Sequence, residues 1–225
     1  LKLMTGMEKA AAFLETRRYA AYLGATLEFR KMEGVTFDPD DRKLYIAMSE
    51  VSKGMEENIR NLYRFIVYNY EEGDEIYLFG FSRGAFTVRS LAGFMNMIGM
   101  IGKDDDYYVP EMYACYEKSK GPGSAEWEEA FHNVKSARPC PPIEMIGVWD
   151  TVGALGAPGV IGQIFNRNKY KYHDIGLNPH IRHAVHAMAI DERRKPFKPS
   201  LWKRQANWQG ECHQAWFAGV HSNVG

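Results

Sequence analysis

The sequence is poor in cysteine and has no excess of either charge. Only three of its 225 residues are cysteine, and none forms a CxxC pair, so neither a disulfide framework nor a zinc site is indicated. A reducing compartment is the simpler interpretation. Lysine and arginine together number 28, as do aspartate and glutamate. This balance argues against a nucleic-acid partner and against strong electrostatic steering.

The sequence also lacks a secretory signal and a long apolar run. The N-terminus has no basic segment followed by an apolar run, as a signal peptide would. The longest uncharged stretches, residues 90–102 and 151–166, are shorter than the ~20 apolar residues that a membrane-spanning helix needs. We therefore expect a protein that is soluble or peripheral to a membrane, and cytoplasmic in the cell that produces it.

No pattern typical of a cofactor or metal site is present in the sequence. Residues 153–162 are rich in glycine but have neither GxGxxG nor P-loop spacing, so no nucleotide cofactor is expected. A helix is expected to begin at Asn178. On such a helix, the side chains of His180, His183 and His186 would point in directions too far apart to share a metal ion. Residues 104–106 are acidic but lack the glycine and the terminal glutamate of a calcium loop.

The most informative pattern present is Gly80-x-Ser82-x-Gly84. It follows an apolar, strand-like run at residues 76–79 and precedes a stretch with helical spacing. A GxSxG pentapeptide between a strand and a helix is typical of a nucleophile elbow, in which a strained turn exposes the serine hydroxyl. Glycine at both flanking positions leaves room where strand and helix approach each other. This context favours a nucleophile over the alternative, a structural turn serine.

The elbow lies within an alternation of helices and strands. Apolar residues over 55–70 have helical spacing, and the strand, the elbow and a second helix follow. This is one step of an α/β alternation, which implies a parallel sheet. Further strands are predicted at residues 143–149 and 214–220. We therefore predict one α/β domain over residues 1–225, α/β-hydrolase-like, with a mostly parallel central sheet and helices on both faces.

Four other segments carry structural predictions of their own. Residues 2–23 are predicted as an amphipathic helix that packs on the core or, alternatively, contacts a membrane or partner. Residues 34–42 are predicted as a loop. Residues 103–142 are predicted as a helical insertion over the carboxyl edge of the sheet, either a cap that shapes a substrate pocket or plain surface packing. Asn178 and Pro179 predict the start of a helix that leads into a short strand.

A nucleophilic serine requires a base within hydrogen-bond reach and an acid that orients that base. In elbow-type hydrolases these residues come in the chain order serine, acid, histidine, in loops after sheet strands. His221 follows the last predicted strand and is the predicted base, the alternative being a structural loop histidine. Asp150 follows the preceding strong strand and is the favoured acid. Asp191 is the alternative acid, although it could instead form an ion pair with Arg193 or Arg194.

Ester hydrolysis also needs hydrogen-bond donors already in place for the acyl oxyanion. The backbone N–H of Arg83 is the first candidate, because this residue immediately follows the nucleophile. A second donor is expected from a loop after an earlier strand. The tyrosine- and methionine-rich residues 103–117 are predicted to line an acyl pocket.

Four segments resemble, in this order, the motifs of one family. They are residues 80–89 (GFSRGAFTVR), 147–153 (GVWDTVG), 186–194 (HAMAIDERR) and 216–225 (WFAGVHSNVG). Over residues 50–225 the chain resembles the bacterial and fungal α/β-hydrolase-domain family that includes the type VI secretion phospholipase effectors. The resemblance implies that Ser82 is the nucleophile, Asp150 the acid and His221 the base. It also implies cleavage of acyl esters of glycerophospholipids, because the effector members cleave these on the membranes of rival cells.

The chain departs from the family pattern at three points. The usual strand ending in Asp-Gly-Thr, which would supply the second oxyanion donor, is not found in the sequence. Asn223 stands where the family has aspartate, and Gly225 falls inside what is usually a glycine run. The resemblance therefore predicts a fragment, or a chain with segments missing, truncated at both ends.

Two functions of different classes are compatible with these patterns. The first is a serine hydrolase of carboxyl esters, with a lipid or phospholipid substrate, peripheral membrane contact and export by a route that needs no signal peptide. The second is a catalytically silent scaffold of the same fold that acts as a binding module. A distance between Ser82 and His221 well beyond hydrogen-bond reach would favour the scaffold.

Overall fold

The structure is a computed structural model that describes residues 32–38, 42–48, 55–152, 176–204, 206 and 208–224. The helix predicted at residues 2–23 and the glycine-rich segment at 153–162 lie outside the described residues. The three cysteines lie within them and are buried and free. None of the helices that the structure describes combines the length and the apolar content needed to cross a bilayer.

The described part of the chain contains eight strands, of which six form one central sheet. In chain order the strands are β1 (Met32–Asp38), β2 (Lys43–Met48), β3 (Glu75–Phe81), β4 (Met100–Ile101), β5 (Ala137–Arg138), β6 (Ile143–Trp149), β7 (Ile181–Ala189) and β8 (Glu211–Phe217). The sheet order is β1-β2-β3-β6-β7-β8, and β4 and β5 form a separate pair. β1 is antiparallel to β2, and all other neighbours in the sheet are parallel. The predicted class, a mostly parallel α/β sheet, is confirmed.

Five α-helices accompany the sheet in the described part of the chain. They are α1 (Met55–Asn69), α2 (Arg83–Ile98), α3 (Val109–Glu117), α4 (Ala125–Phe131) and the short α5 (His221–Val224). Two 3₁₀ turns lie at Lys103–Tyr108 and Lys195–Phe197. The helix predicted over residues 55–70 and the helix predicted after the elbow are therefore both present.

The main hydrophobic core lies between the sheet and the first two helices. Side chains alternate along β3, so that Ile76 and Leu78 are fully buried beneath α2 while their neighbours are only partly buried. α1 packs on the outer side of α2 and contributes Tyr63, which is also fully buried. The Tyr63 hydroxyl donates to the carbonyl of Gly99 at 3.0 Å, so its polar end is satisfied. α2 therefore packs directly on β2, β3 and β6 of the sheet, and α1 packs on α2.

The predicted loop over residues 34–42 is wrong for its first half. Residues 32–38 form β1, which pairs with β2 through partners such as Val35 with Ile46 and Phe37 with Leu44. Asp38 is the last residue of β1 and pairs with Lys43, the first residue of β2. Pairing with β2 satisfies the backbone N–H and C=O groups of this segment, which its polar composition had predicted to be a loop.

The helix predicted from Asn178 is also wrong. The Asn178 side-chain oxygen accepts a hydrogen bond from the backbone N–H of His180 at 3.0 Å, as a helix cap would. The chain then extends as β7, which pairs with β6 on one side and β8 on the other. Two ladders of backbone hydrogen bonds outweigh the local capping signal. Because side chains alternate along a strand, His183 and His186 lie on opposite faces of the sheet.

The insertion at residues 103–142 is helical, but its predicted location is wrong. Its helices α3 and α4 follow the C-terminal end of α2, which starts at the elbow and runs about 24 Å away from it at 1.5 Å per residue. α3 packs against α1 and α2, and the Tyr116 hydroxyl donates to the carbonyl of Ser90 at 3.0 Å. The described helices of the insertion therefore lie on the outer helix layer and not over the carboxyl edge of the sheet.

Candidate active site

Ser82 occupies a strained turn between β3 and α2. Its backbone has φ 57° and ψ −118°, a conformation that costs a non-glycine residue of order 1–3 kcal/mol. The turn is held by a hydrogen bond from the Ser82 N–H to the carbonyl of Trp149 at 2.9 Å. A Cβ added at Gly80 would lie 2.6 Å from the Cα of Ala85, so strand and helix could not approach this closely with a larger residue. The strand, the strained turn and the helix all match the predicted elbow.

His221 brings two polar side chains together at the carboxyl edge of the sheet. Its Nε2 lies 2.8 Å from Ser82 Oγ, and its Nδ1 lies 2.6 Å from Asp150 Oδ2. The imidazole and the carboxylate are buried, whereas Ser82 is partly exposed. The structure therefore places the predicted nucleophile, base and favoured acid in one line of hydrogen bonds.

Asp150 is held by two hydrogen bonds to the backbone of the adjacent strand β7. Its Oδ1 accepts a hydrogen bond from the N–H of Ala189 at 3.0 Å, and its own N–H donates to the carbonyl of Ala187 at 2.7 Å. Its backbone has φ 39°, so the chain turns sharply at the end of β6. Each carboxylate oxygen thus has one donor, and the side chain is held in the orientation that meets His221.

Two aromatic rings pack on the imidazole of His221. Phe81 stacks on it with centroids 4.7 Å apart and planes at 30°. Phe197 approaches it with centroids 4.7 Å apart and planes at 65°. These two aromatic contacts restrict rotation of the imidazole, which is itself buried.

His186 hydrogen-bonds to the loop after β6 that carries Asp150. The sequence did not predict this role. His186 is buried in β7, and its Nε2 accepts a hydrogen bond from the N–H of Thr151 at 3.2 Å. Burial, together with the nearby Arg89 guanidinium, lowers the pKa of His186 to about 4. At neutral pH the ring is therefore uncharged and can accept this hydrogen bond.

Asp191, the alternative acid, binds the loop before His221 instead of the imidazole. Its Oδ2 accepts the Gly219 N–H at 2.7 Å, and its own N–H donates to the Gly219 carbonyl at 3.1 Å. Of the two arginines suggested as ion-pair partners of Asp191, Arg194 pairs instead with Glu192 at 2.7 Å. The side chain that approaches the His221 ring is that of Asp150.

Glu192 is the second site residue that sequence reasoning missed. Its Oε2 accepts the backbone N–H of His221 at 3.2 Å, and its Oε1 accepts the N–H and Nε of Arg194 at 2.8 and 2.9 Å. These hydrogen bonds, those from Arg194 first, lower the pKa of Glu192 to about 2. The available signal was its position just after a strand, but it stood within a run of charges that is also typical of a solvated surface.

Arg83, the predicted oxyanion donor, is the first residue of α2 and directly follows Ser82. Backbone N–H groups in the first turn of a helix have no acceptor within the helix, and the helix dipole adds partial positive charge there. The position is therefore suited to an oxyanion that forms beside Ser82. The role of the Arg83 N–H remains a prediction.

The arrangement as a whole can move one proton away from a hydroxyl. With the ring proton on Nδ1, the Ser82 O–H donates to His221 Nε2 and the Nδ1–H donates to the Asp150 carboxylate. The structure thus places a serine hydroxyl at the carboxyl edge of a mostly parallel sheet, in line with a buried histidine and a buried aspartate.

Comparison with known proteins identifies the family. Residues 35–225 match the family described as "T6SS, Phospholipase effector Tle1-like, catalytic domain". The chain belongs to this family, as its motifs had indicated.

This chain spans less than a third of the length of each of three similar proteins. An uncharacterized protein of Saccharomyces cerevisiae, YEL023C, is 30% identical over 151 residues, which is 64% of this chain and 21% of the relative. A structure of the Tle1 effector bound to the VgrG spike of the type VI secretion system is 20% identical, covers 76% of this chain and 29% of that chain, and has a TM-score of 0.34. An uncharacterized protein from Pseudomonas aeruginosa is also 20% identical, covering 76% of this chain and 21% of that chain, with a TM-score of 0.36.

Proposed function

We propose that this protein is a serine hydrolase that cleaves carboxyl esters, specifically acyl esters of phospholipids, with Ser82, His221 and Asp150 as its catalytic residues. The observation that carries the proposal is the unbroken line of hydrogen bonds from Ser82 Oγ through His221, at 2.8 Å, to Asp150, at 2.6 Å. Membership of the Tle1-like phospholipase effector catalytic domain family supports the lipid substrate.

In the first half of the reaction Ser82 Oγ attacks the carbonyl carbon of the acyl ester while His221 Nε2 takes its proton. Asp150 stabilises the imidazolium that forms, and the backbone N–H of Arg83 donates to the oxyanion of the tetrahedral intermediate. The intermediate collapses when the bond to the alcohol oxygen breaks. His221 gives its proton to that oxygen, and the lysophospholipid leaves an acyl ester on Ser82.

In the second half of the reaction water replaces the alcohol. His221 Nε2 removes a proton from the water as its oxygen attacks the acyl carbon, and then returns the proton to Ser82 Oγ. The products are a free fatty acid and the regenerated serine. Burial of the imidazole between Phe81 and Phe197 strengthens the hydrogen bond to Asp150, because electrostatic interactions are stronger where water is excluded.

Exposed apolar side chains at the carboxyl edge support a lipid substrate and peripheral membrane contact. Trp149 at the end of β6 is 37% exposed, Ile190 after β7 is 61% exposed, and Phe217 at the end of β8 is 52% exposed. Large apolar side chains exposed together mark surfaces that contact other apolar matter. In this proposal the protein is cytoplasmic in the producing cell and leaves it by a route that needs no signal peptide.

Two observations favour the hydrolase over a silent scaffold. A long distance between Ser82 and His221 would have favoured the scaffold, whereas Ser82 Oγ and His221 Nε2 lie 2.8 Å apart. The unusual Asn223 has a local structural use, since its Oδ1 accepts the Val220 N–H at 3.2 Å and its own N–H donates to the Val220 carbonyl at 2.9 Å. The turn that carries His221 is therefore formed with asparagine at this position.

The proposal is tested by incubating the full-length protein with vesicles of defined phospholipids and measuring released fatty acid. Hydrolysis is expected from the wild type and from Ser136→Ala, which removes an exposed hydroxyl in the insertion. Ser82→Ala is expected to lose at least about 10³-fold in kcat. Equal hydrolysis by Ser82→Ala and wild type would overturn the proposal.

A further inference from the structure

The side chains of Glu192, Arg194 and Phe197 form, with His221, a closed ring of contacts. Glu192 accepts the His221 backbone N–H at 3.2 Å, and Glu192 also pairs with Arg194 at 2.7 Å. The guanidinium of Arg194 lies 4.0 Å from the centre of the Phe197 ring. Phe197 packs on the His221 imidazole at 4.7 Å, which closes the ring. Main chain and side chain of His221 are thus held by one connected set of contacts that starts at Glu192.

The Glu192 carboxylate is shielded from solvent and accepts several hydrogen bonds. Its side chain is only 3% exposed, while its partner Arg194 is 57% exposed. It accepts four hydrogen bonds, from the His221 N–H and from three nitrogen atoms of Arg194. A buried carboxylate with all of these donors is held in one place, because moving it would leave several polar groups without partners.

Asp191, the residue before Glu192, supports the loop two residues before His221. It holds the N–H and the carbonyl of Gly219, and Gly219 has φ 119°, a conformation that favours glycine. Two neighbouring carboxylates after β7 therefore bind the backbone of the loop that follows β8, at Gly219 and at His221. Without them, the backbone at the end of β8 would lose two of its acceptors.

We propose that Glu192 is a positioning residue for catalysis: it fixes the backbone of His221 directly and its imidazole through Arg194 and Phe197, so that Nε2 faces Ser82 before substrate binds. The inference rests on the proposed function, since it assigns a role within the same site. Glu192 does not touch the reacting atoms, and its effect is on geometry. Misplacement of a catalytic group by about 1 Å can cost about 10²-fold in rate.

The test compares two variants of Glu192 with a matched control in the full-length protein. Glu192→Ala removes the acceptor of the His221 N–H and is expected to lower kcat about 10- to 100-fold while KM changes less than about twofold. Glu192→Gln retains an oxygen for that N–H and is expected to recover most of the rate. Glu211→Gln removes an exposed carboxylate at the far end of β8 and is expected to match the wild type.

A second readout does not depend on activity. Proton NMR of the Ser82→Ala protein should show a downfield resonance from the short hydrogen bond between His221 and Asp150. Adding Glu192→Ala should broaden or remove this resonance, and adding Glu192→Gln should preserve it. Thermal unfolding of each variant identifies any loss caused by general misfolding.

The outcomes separate this inference from the proposed function. If the wild type hydrolyses phospholipid and Glu192→Ala has the same kcat and the same NMR resonance, the positioning role is overturned while the hydrolase remains. If the wild type has no activity, the proposed function fails, and the resonance alone decides whether Glu192 positions the imidazole. A resonance insensitive to Glu192→Ala would refute it in either case.

Discussion

Ser82 Oγ and His221 Nε2 lie 2.8 Å apart although 139 residues separate them in the chain. The sheet produces this contact, because β3 and β8 end at the same edge and the turns after them face each other across β6 and β7. Carboxyl ends of parallel strands are where open α/β sheets place their binding sites. The geometry of the two residues follows from topology rather than from any local sequence signal.

The structure distinguishes the two acids that the sequence left open. Asp150→Asn should reduce kcat about 10⁴-fold, because the amide would favour the wrong tautomer of His221. Asp191→Asn retains an oxygen for the Gly219 N–H and should cost less than about tenfold. Steady-state hydrolysis by the two variants checks this expectation. A larger loss of kcat in Asp191→Asn than in Asp150→Asn would contradict the assignment of Asp150 as the acid.

The elbow should tolerate no side chain at Gly80. Gly80→Ala would place a methyl group 2.6 Å from backbone atoms of Gly84 and Ala85, and overpacking of this kind costs typically about 1–3 kcal/mol. A lower free energy of unfolding and slower hydrolysis are expected, since the turn that presents Ser82 must shift. Gly121→Ala is the control, because a Cβ there meets nothing within 4 Å. Equal urea midpoints for both variants would contradict the packing argument.

His186 should make stability depend on pH. Its pKa is about 4 in the folded protein against 6.5 as the ordinary value, so between these values the unfolded chain binds a proton that the folded chain does not. Its contribution is present above pH 6.5 and is lost as pH falls towards 4, by about 3 kcal/mol in total. His186→Gln keeps an acceptor for Thr151 but cannot titrate. Between pH 7 and pH 4 the unfolding free energy of the wild type should fall by about 3 kcal/mol more than that of this variant, and an equal fall in both proteins would contradict the account.

The sequence predicted best those elements whose signals are local. The strand at residues 143–149, the elbow and α2 have an apolar run, a glycine pattern and helical spacing within a few residues of each other. The last strand was predicted at residues 214–220 and is found at Glu211–Phe217. β8 lies at the edge of the sheet, and its exposed residues alternate too weakly to define its ends.

The errors fall where distant contacts decide the structure. Asn178 makes the hydrogen bond of a helix cap, yet pairing with β6 and β8 extends the chain that follows it. The helices of residues 103–142 were predicted as helices, but helical spacing does not say which surface they pack against. Glu192 has the same composition as any surface glutamate, and only the return of the chain at His221 gives it a partner from 29 residues away.

The central claim is that Ser82 is a nucleophile activated by His221. The most direct measurement is mass-spectrometric mapping of the full-length protein after reaction with a fluorophosphonate, which forms a covalent bond with activated serines. The account predicts one adduct, on the peptide that contains Ser82, and little or none in His221→Gln under the same conditions. An adduct at another serine, no adduct on the wild type, or equal labelling of Ser82 in His221→Gln would contradict it.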